Sequence, residues 1–320
     1  MTTRQLLLLV AAALVGCAST QEIDSRSQPS TTALEVVAVL RRHIPDDTYR
    51  FEAARDFTGR NVYRSTLLRL ENLERAHTES LRAGHLDGVI AFAKARALER
   101  IRAFDLAAGE YDFAAEREES LRAEALRSAD LCRGIHAAIA TDAPLVREDA
   151  NNDGSSLLSV TSPDDAIARF EERSARLEAL LRAAESTHHL PVVREEIERN
   201  DVLRARYFVN TRRLLDNGDV RAVAELQRIA LRHPDSKNAA RHLLSLADLY
   251  AELSGEYVEQ HPPESLTFDP AEFRDLVDSG ARIYEMVAGR DGTSEKLEAS
   301  RRLEAFLAFS LAVDRDRFTP

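Results

Sequence analysis

Residues 222–236 read Ala222-Val223-Ala224-Glu225-Leu226-Gln227-Arg228-Ile229-Ala230-Leu231-Arg232-His233-Pro234-Asp235-Ser236. Ala222, Leu226 and Ile229 recur at i, i+4 and i+7, which places them on one face of a helix. Ala222 is small enough to let a second helix approach, and Leu226 and Ile229 fill the groove between the two. Pro234 cannot continue the helix, and Ser236 can cap the next one. Downstream, Ala240, Leu243, Leu244, Ala247 and Tyr250 carry the same period. A helix, a proline stop, a cap and a second helix thus form the unit from which the fold is read.

The helical period extends outward from this unit through most of the chain, and period-two alternation is nearly absent after residue 33. A short amphipathic stretch covers 33–43. A long one covers 61–83, with Leu67, Leu70, Leu73, His77 and Leu81 near one face and Gly84 as its stop. The next covers 86–108, and another 112–140 with Leu121, Ala125, Leu131, Cys132, Ile135 and Ile139 on a stripe. Residues 141–163 interrupt the pattern with Pro144, Asn151, Asn152, Asp153 and Gly154, which is loop chemistry and a domain or subdomain boundary. A helix restarts at Ser162-Pro163-Asp164-Asp165, with serine as cap, proline at the first position and two acids at the positive helix end. Pro191 opens a helix over 192–216, and Asp219 can cap one running to His233. Asp269-Pro270-Ala271-Glu272 is a complete start signal in which Glu272 can reach back to the cap amide. A final helix covers 295–312. The expected fold class is all-α, built of antiparallel helix pairs: a helical bundle over 33–140, a linker over 141–163 and a second helical region over 164–320.

The segment 222–236 resembles the second helix and exit turn of a tetratricopeptide (TPR) repeat, in the form found in periplasmic and outer-membrane lipoproteins. A second copy begins near Ala281, with Ile283, Tyr284, Val287, Asp291-Gly292-Thr293 and Ala299 in comparable places. The copies are roughly 60 residues apart rather than the ~34 of a regular array. Pro262, Pro263 and Pro270 mark an inserted loop that accounts for part of the excess. Arg206 stands where the repeat has an aromatic residue, and Asn210 where it has glycine. The resemblance covers about residues 200–312 and implies a TPR-like α-solenoid whose concave face grips a protein or peptide partner. Arg241, Tyr250 and Tyr284 are the candidate partner contacts, with packing as the other role for both tyrosines. An irregular helical bundle using a similar turn is the alternative architecture.

The chain starts MTTRQLLLLVAAALVGCAST. Arg4 precedes an apolar run from Leu6 to Val15, too short to span a bilayer and of the length of a signal h-region. The run ends in Leu14-Val15-Gly16-Cys17, which resembles the Leu-x-Gly-Cys box of bacterial lipoproteins. The resemblance implies cleavage between Gly16 and Cys17, removal of 1–16 as a signal peptide, and acylation (palmitate among the chains) of Cys17. Ala18 rather than aspartate follows, which by similarity to enterobacterial lipoproteins favours the outer membrane, facing the periplasm. Residues 17–32 then comprise the lipidated cysteine and a polar tether, whose flexible part has an r.m.s. span of about 20 Å.

Composition narrows the function classes. Of 320 residues, 54 are acidic and 43 basic, and the net charge of −11 argues against a nucleic-acid binder that neutralises phosphates. It likewise argues against purely electrostatic docking on anionic lipid, leaving acyl chains as the expected hold on the membrane. Only Lys94, Lys237 and Lys296 among the basic residues are lysine. Twelve glycines, 10 prolines and no tryptophan disfavour an all-β sandwich or a glycine-rich nucleotide fold.

Local motifs for chemistry are sparse. Cys132 and His136, four apart on a helix, could share a face and hold a metal. Cys132 lies on the apolar stripe, however, and reads as a core cysteine. Asp149-Ala150-Asn151-Asn152-Asp153-Gly154 matches the first half of an EF-hand loop, but Leu157 and Val160 stand where later oxygen ligands belong. His188-His189 reads as a solvated turn, and His77 as a packed histidine. No GxSxG, HExxH, Walker or dinucleotide fingerprint occurs. The expectation is a non-enzymatic envelope lipoprotein without cofactor, acting as an adaptor for envelope proteins. The rivals are an envelope enzyme or ligand carrier with a pocket between helical halves, and a purely structural lipoprotein.

Overall fold

The computed structural model of the chain describes residues 61–83, 86–140, 163–185 and 187–317. The Gly16–Cys17 box, the tether, the stretch 33–43 and the Asp149–Gly154 string lie outside the described residues. Within them the protein is all-helical, with no strand. The helices are α1 (Val62–Ala83), α2 (Asp87–Arg100), α3 (Phe104–Arg117), α4 (Arg122–Ala140), α5 (Pro163–Ala184), α6 (Leu190–Thr211), α7 (Gly218–Arg232), α8 (Ala239–Gln260), α9 (Pro270–Ala288) and α10 (Glu295–Asp316). A 3-10 turn, Arg212–Leu214, follows α6. Each helix packs on its neighbour in sequence, and α8 also touches α10.

Side-chain caps hold the starts of α1 and α9. Asn61 accepts from the amides of Tyr63 and Arg64 and caps α1. Asp269 caps α9 by accepting from Ala271, with Pro270 in the first position. The cap amide of Asp269 donates to the Tyr257 hydroxyl at 2.8 Å, not to Glu272, so a tertiary contact replaces the expected local one. Ser236 does not cap α8, which starts after Asn238; it sits in the preceding turn, where it accepts from the Asn238 amide and donates to Glu198 at 2.5 Å.

Two expected helices are three. The stretches 86–108 and 112–140 break at 101–103 and 118–121 instead of near 110. The first break is made by Arg102, whose φ of 64° lies in the left-handed region without glycine's freedom. Gly109, in the gap between the two expected stretches, lies inside α3 with open space around it. α1 is kinked at His77, which leaves helical geometry and is half-buried.

Three hydrophobic clusters hold the body together. Leu70, Leu73 and Leu81 of α1 close on Ile90 and Ala93 of α2. A second cluster gathers Phe104 and Tyr111 of α3, Cys132 and Ile135 of α4, Leu177 of α5, and Val192 and Ile197 of α6. The third gathers Phe170 of α5, Tyr207 and Phe208 of α6, Leu226 and Ile229 of α7, and the apolar faces of α8, α9 and α10. Fully burying each of these large side chains contributes about 1.5–3 kcal/mol. The pair α5–α6 contributes to both large clusters, one end of each helix to each.

Candidate functional site

Five side chains from four parts of the chain meet inside the second cluster. Glu99 comes from the last turn of α2, Tyr111 from α3, Cys132 from α4, and His188 and His189 from the turn that leads into α6. Glu99, Cys132 and His189 are all fully buried. His189 Nε2 lies 2.5 Å from Glu99 Oε1, and the Tyr111 hydroxyl donates to the same oxygen at 2.6 Å. His188 Nε2 is 3.4 Å from it and the Cys132 thiol 3.5 Å. Cys132 Sγ and His189 Nε2 are 3.7 Å apart. The two histidine rings are tilted by 40° with their centroids 3.9 Å apart. Glu99 Oε2 and His189 Nδ1, by contrast, are buried without a hydrogen-bond partner.

Burial pushes the Glu99 carboxyl up, but hydrogen bonds from His188 and His189 outweigh it and hold the group well below its usual range, ionised. Burial and the neighbouring Glu99 charge push the Cys132 thiol and the Tyr111 phenol up, so both keep their protons. Burial holds His188 below its usual value despite Glu99. A nucleophile relay needs a thiol shifted the other way and a ring with one nitrogen for the thiol and the other for the acid. Here a single nitrogen, His189 Nε2, faces both.

The expected solvated turn at His188-His189 is overturned: His189 is sealed in the core and His188 nearly so. The partners that bury them, Glu99 and Cys132, are 90 and 57 residues away, beyond any local spacing rule. Cys132 is in the core as its stripe suggests, while His136, four residues on, is exposed. Glu99 went unmarked because an acid on an arginine-rich helix reads as a solvated face. Its one local signal is position, since its neighbours Ala95 and Leu98 are buried with it.

A second concentration of polar groups runs along α6. Glu196 receives Arg102 from the α2–α3 turn through two hydrogen bonds, at 2.7 and 3.0 Å. Glu198 accepts from Ser236, and His242 Nε2 lies 2.6 Å from it. Asp201, fully buried, is met by Arg228 at 3.0 Å, Arg232 at 3.1 Å and His233 at 2.8 Å. Burial pushes both acids up, yet these partners hold Glu198 and Asp201 below their ordinary range. Beside this row opens a cleft of about 540 Å³, lined by Leu181, Arg194, Glu195, Lys237 and the Pro234-Asp235-Ser236 turn among others. Burial pushes the Glu195 carboxyl up to about 8, only partly offset by Lys237.

The expected partner contacts lie elsewhere. Tyr284 is buried, donates to Asp248 at 2.7 Å and packs edge-on against Phe306. Tyr250 is half-buried and accepts from Gln227. Arg241 is exposed and pairs with Glu295 on α10. None of the three lines this cleft or a smaller one between α6, α7 and α8. No helix among the described residues is long and apolar enough to cross a membrane. No known protein family matches the chain, and no curated protein matches it.

Proposed function

We propose that the protein is an envelope lipoprotein, held at the membrane through acylated Cys17, whose helical body binds a protein partner as a TPR-like scaffold on the periplasmic side of the outer membrane. The carrying observation is the α6 cleft. It is lined by the turn that carries the repeat resemblance, and it offers apolar side chains (Leu181, Ile197), cations (Arg194, Lys237) and acids (Glu195, Asp235) within one volume. That mixture suits an extended peptide, whose backbone amides and carbonyls need both kinds of partner. Consecutive packing of helix pairs from α6 to α10 supports the scaffold reading, because stacked pairs present continuous faces. The anchor rests on Arg4, the Leu6–Val15 run and the Gly16-Cys17 box.

The test is made in the native host. Cys17→Ala is expected to abolish acyl labelling and release the body from membranes; unchanged labelling sinks the anchor. A photo-crosslinker at exposed Lys237 is expected to capture one discrete envelope protein, with capture weakened by Arg194→Glu. Absence of any adduct at Lys237, together with turnover or retention of a small envelope metabolite, overturns the scaffold in favour of an enzyme or carrier.

A further inference from the structure

We propose that Glu99, Cys132 and His189 form a buried site for a divalent transition-metal ion of the Zn²⁺ class, with His188, which stands outside that group but has Nε2 3.4 Å from Glu99 Oε1, turning in as fourth ligand. One ligand atom from each of the first three lies within 4.8 Å of the others. In a tetrahedral zinc site, bond lengths of about 2.0–2.3 Å put neighbouring ligand atoms ~3.3–3.6 Å apart. The sulfur-to-oxygen distance of 3.5 Å and the sulfur-to-nitrogen distance of 3.7 Å match those edges. So does the 3.4 Å between His188 Nε2 and Glu99 Oε1. Only the 2.5 Å contact between His189 and Glu99 is shorter, as a direct hydrogen bond must be. An ion between the two opens that contact by about 1 Å.

Hydrogen bonding alone accounts poorly for the arrangement. A carboxylate oxygen offers two lone pairs, yet the groups of Tyr111, Cys132, His188 and His189 all converge on Glu99 Oε1. Meanwhile Oε2 of the same buried carboxylate has no partner, and neither has His189 Nδ1. Three ligand side chains and a tyrosine crowding one carboxylate oxygen, beside unsatisfied acceptor capacity, is the geometry of a ligand set that has closed on itself. An ion among Glu99 Oε1, Cys132 Sγ and His189 Nε2 gives each ligand its own bond and relieves the crowding on that oxygen.

Charge points the same way. A divalent ion with one carboxylate, one thiolate and two neutral imidazoles is electrically neutral, the condition burial favours. On binding, the Cys132 S–H bond breaks, its proton leaves to solvent, and the sulfur–metal bond forms. The mixed sulfur and nitrogen donors select zinc or its neighbours over calcium and magnesium, which take oxygen shells. Because the ligands come from α2, α4 and the turn between α5 and α6, the ion would tie the N-terminal helices to the α5–α6 pair.

The test uses the full chain carrying Cys17→Ser, which leaves Cys132 as its single thiol. The metal-free chain is titrated with Zn²⁺, Co²⁺ and Mg²⁺. One equivalent of Zn²⁺ is expected to bind and to raise the Tm by roughly 5–10 °C at saturating concentration, with Mg²⁺ leaving it unchanged. Co²⁺ is expected to give tetrahedral ligand-field bands and a thiolate-to-cobalt charge-transfer band. Cys132→Ala is expected to remove that band and the Zn²⁺ response while keeping the helical circular dichroism. A folded parent without the charge-transfer band overturns the site, as does a folded Cys132→Ala chain that responds to Zn²⁺ like its parent. Should Cys132→Ala fail to fold, the cobalt band of the parent decides alone, since no other thiol can produce it.

Discussion

Arg102 reaches from the α2–α3 turn to the fully buried carboxylate of Glu196 on α6, donating from Nε at 2.7 Å and Nη2 at 3.0 Å. The pair joins two segments 94 residues apart. Its arginine is also the left-handed residue that ends α2, so one side chain both sets a turn against its preference and clasps the distant helix. Arg102→Ala removes the clasp but keeps the backbone strain, and is expected to cost about 3 kcal/mol, the scale for uncovering a buried charge. Arg102→Gly loses the same clasp but relieves about 1 kcal/mol of left-handed strain. Urea unfolding of the two variants is expected to rank glycine above alanine, the reverse of their order inside a helix.

Glu195 sets a pH dependence. Its carboxyl titrates near 8 in the folded chain against an ordinary value of 4.5. Between these values the folded state holds a proton that the unfolded state has lost, so this group's contribution to stability falls as pH rises and is lost above about 8. Glu195→Gln keeps the shape and removes the titration. The difference in Tm between variant and wild type is expected to be smallest near pH 4.5 and to widen in favour of the variant up to about pH 8. A constant difference would contradict the assignment.

The two glycines of the C-terminal helices predict opposite outcomes for one substitution. A Cβ at Gly280 on α9 would stand 2.9 Å from Phe306 and 3.2 Å from Tyr250 Cβ, where α8 and α10 both close in. Gly280→Ala is therefore expected to destabilise by about 1–3 kcal/mol through overpacking. Gly255 on α8 has nothing within 4 Å of its added carbon. Gly255→Ala is expected to stabilise by about 0.5–1 kcal/mol, since only the helix propensity changes. Denaturant midpoints of both variants check the pair.

Tyr284→Phe separates packing from recognition. Its hydroxyl donates to Asp248, which also pairs with Arg302. Loss of that bond is expected to cost about 0.5–1.5 kcal/mol in unfolding. It is expected to leave crosslinking from Lys237 unchanged, because Tyr284 does not line the cleft.

Helix content was legible because the 3.6-residue period survives any rearrangement of partners; α1, α5, α8 and α9 lie close to where their stripes place them, and α9 starts at its expected cap. The α2–α3 turn was not, since Arg102 carries no turn signature and its conformation is held by Glu196, a tertiary partner. The cleft was half-legible: Pro234-Asp235-Ser236 marks its rim, but its opposite wall comes from Arg194 and Glu195, which sequence shows only as charges on a helix. The Glu99 centre was not legible at all. Cys132 and the histidine pair are visible as residues, but only the packing of α2, α4 and α6 makes them neighbours.

The α5–α6 pair belongs to two cores at once, and this bears on how the molecule comes apart. Residues 141–162 look like a natural place to divide the chain, yet a fragment ending there lacks Leu177, Val192 and Ile197, which complete the core around Tyr111 and Cys132. The fragment beginning there keeps those three residues with the wall they should cover missing. Neither half is self-sufficient, so heating is expected to melt both together in a single transition, and a protease cut between them to leave two pieces that hold each other folded.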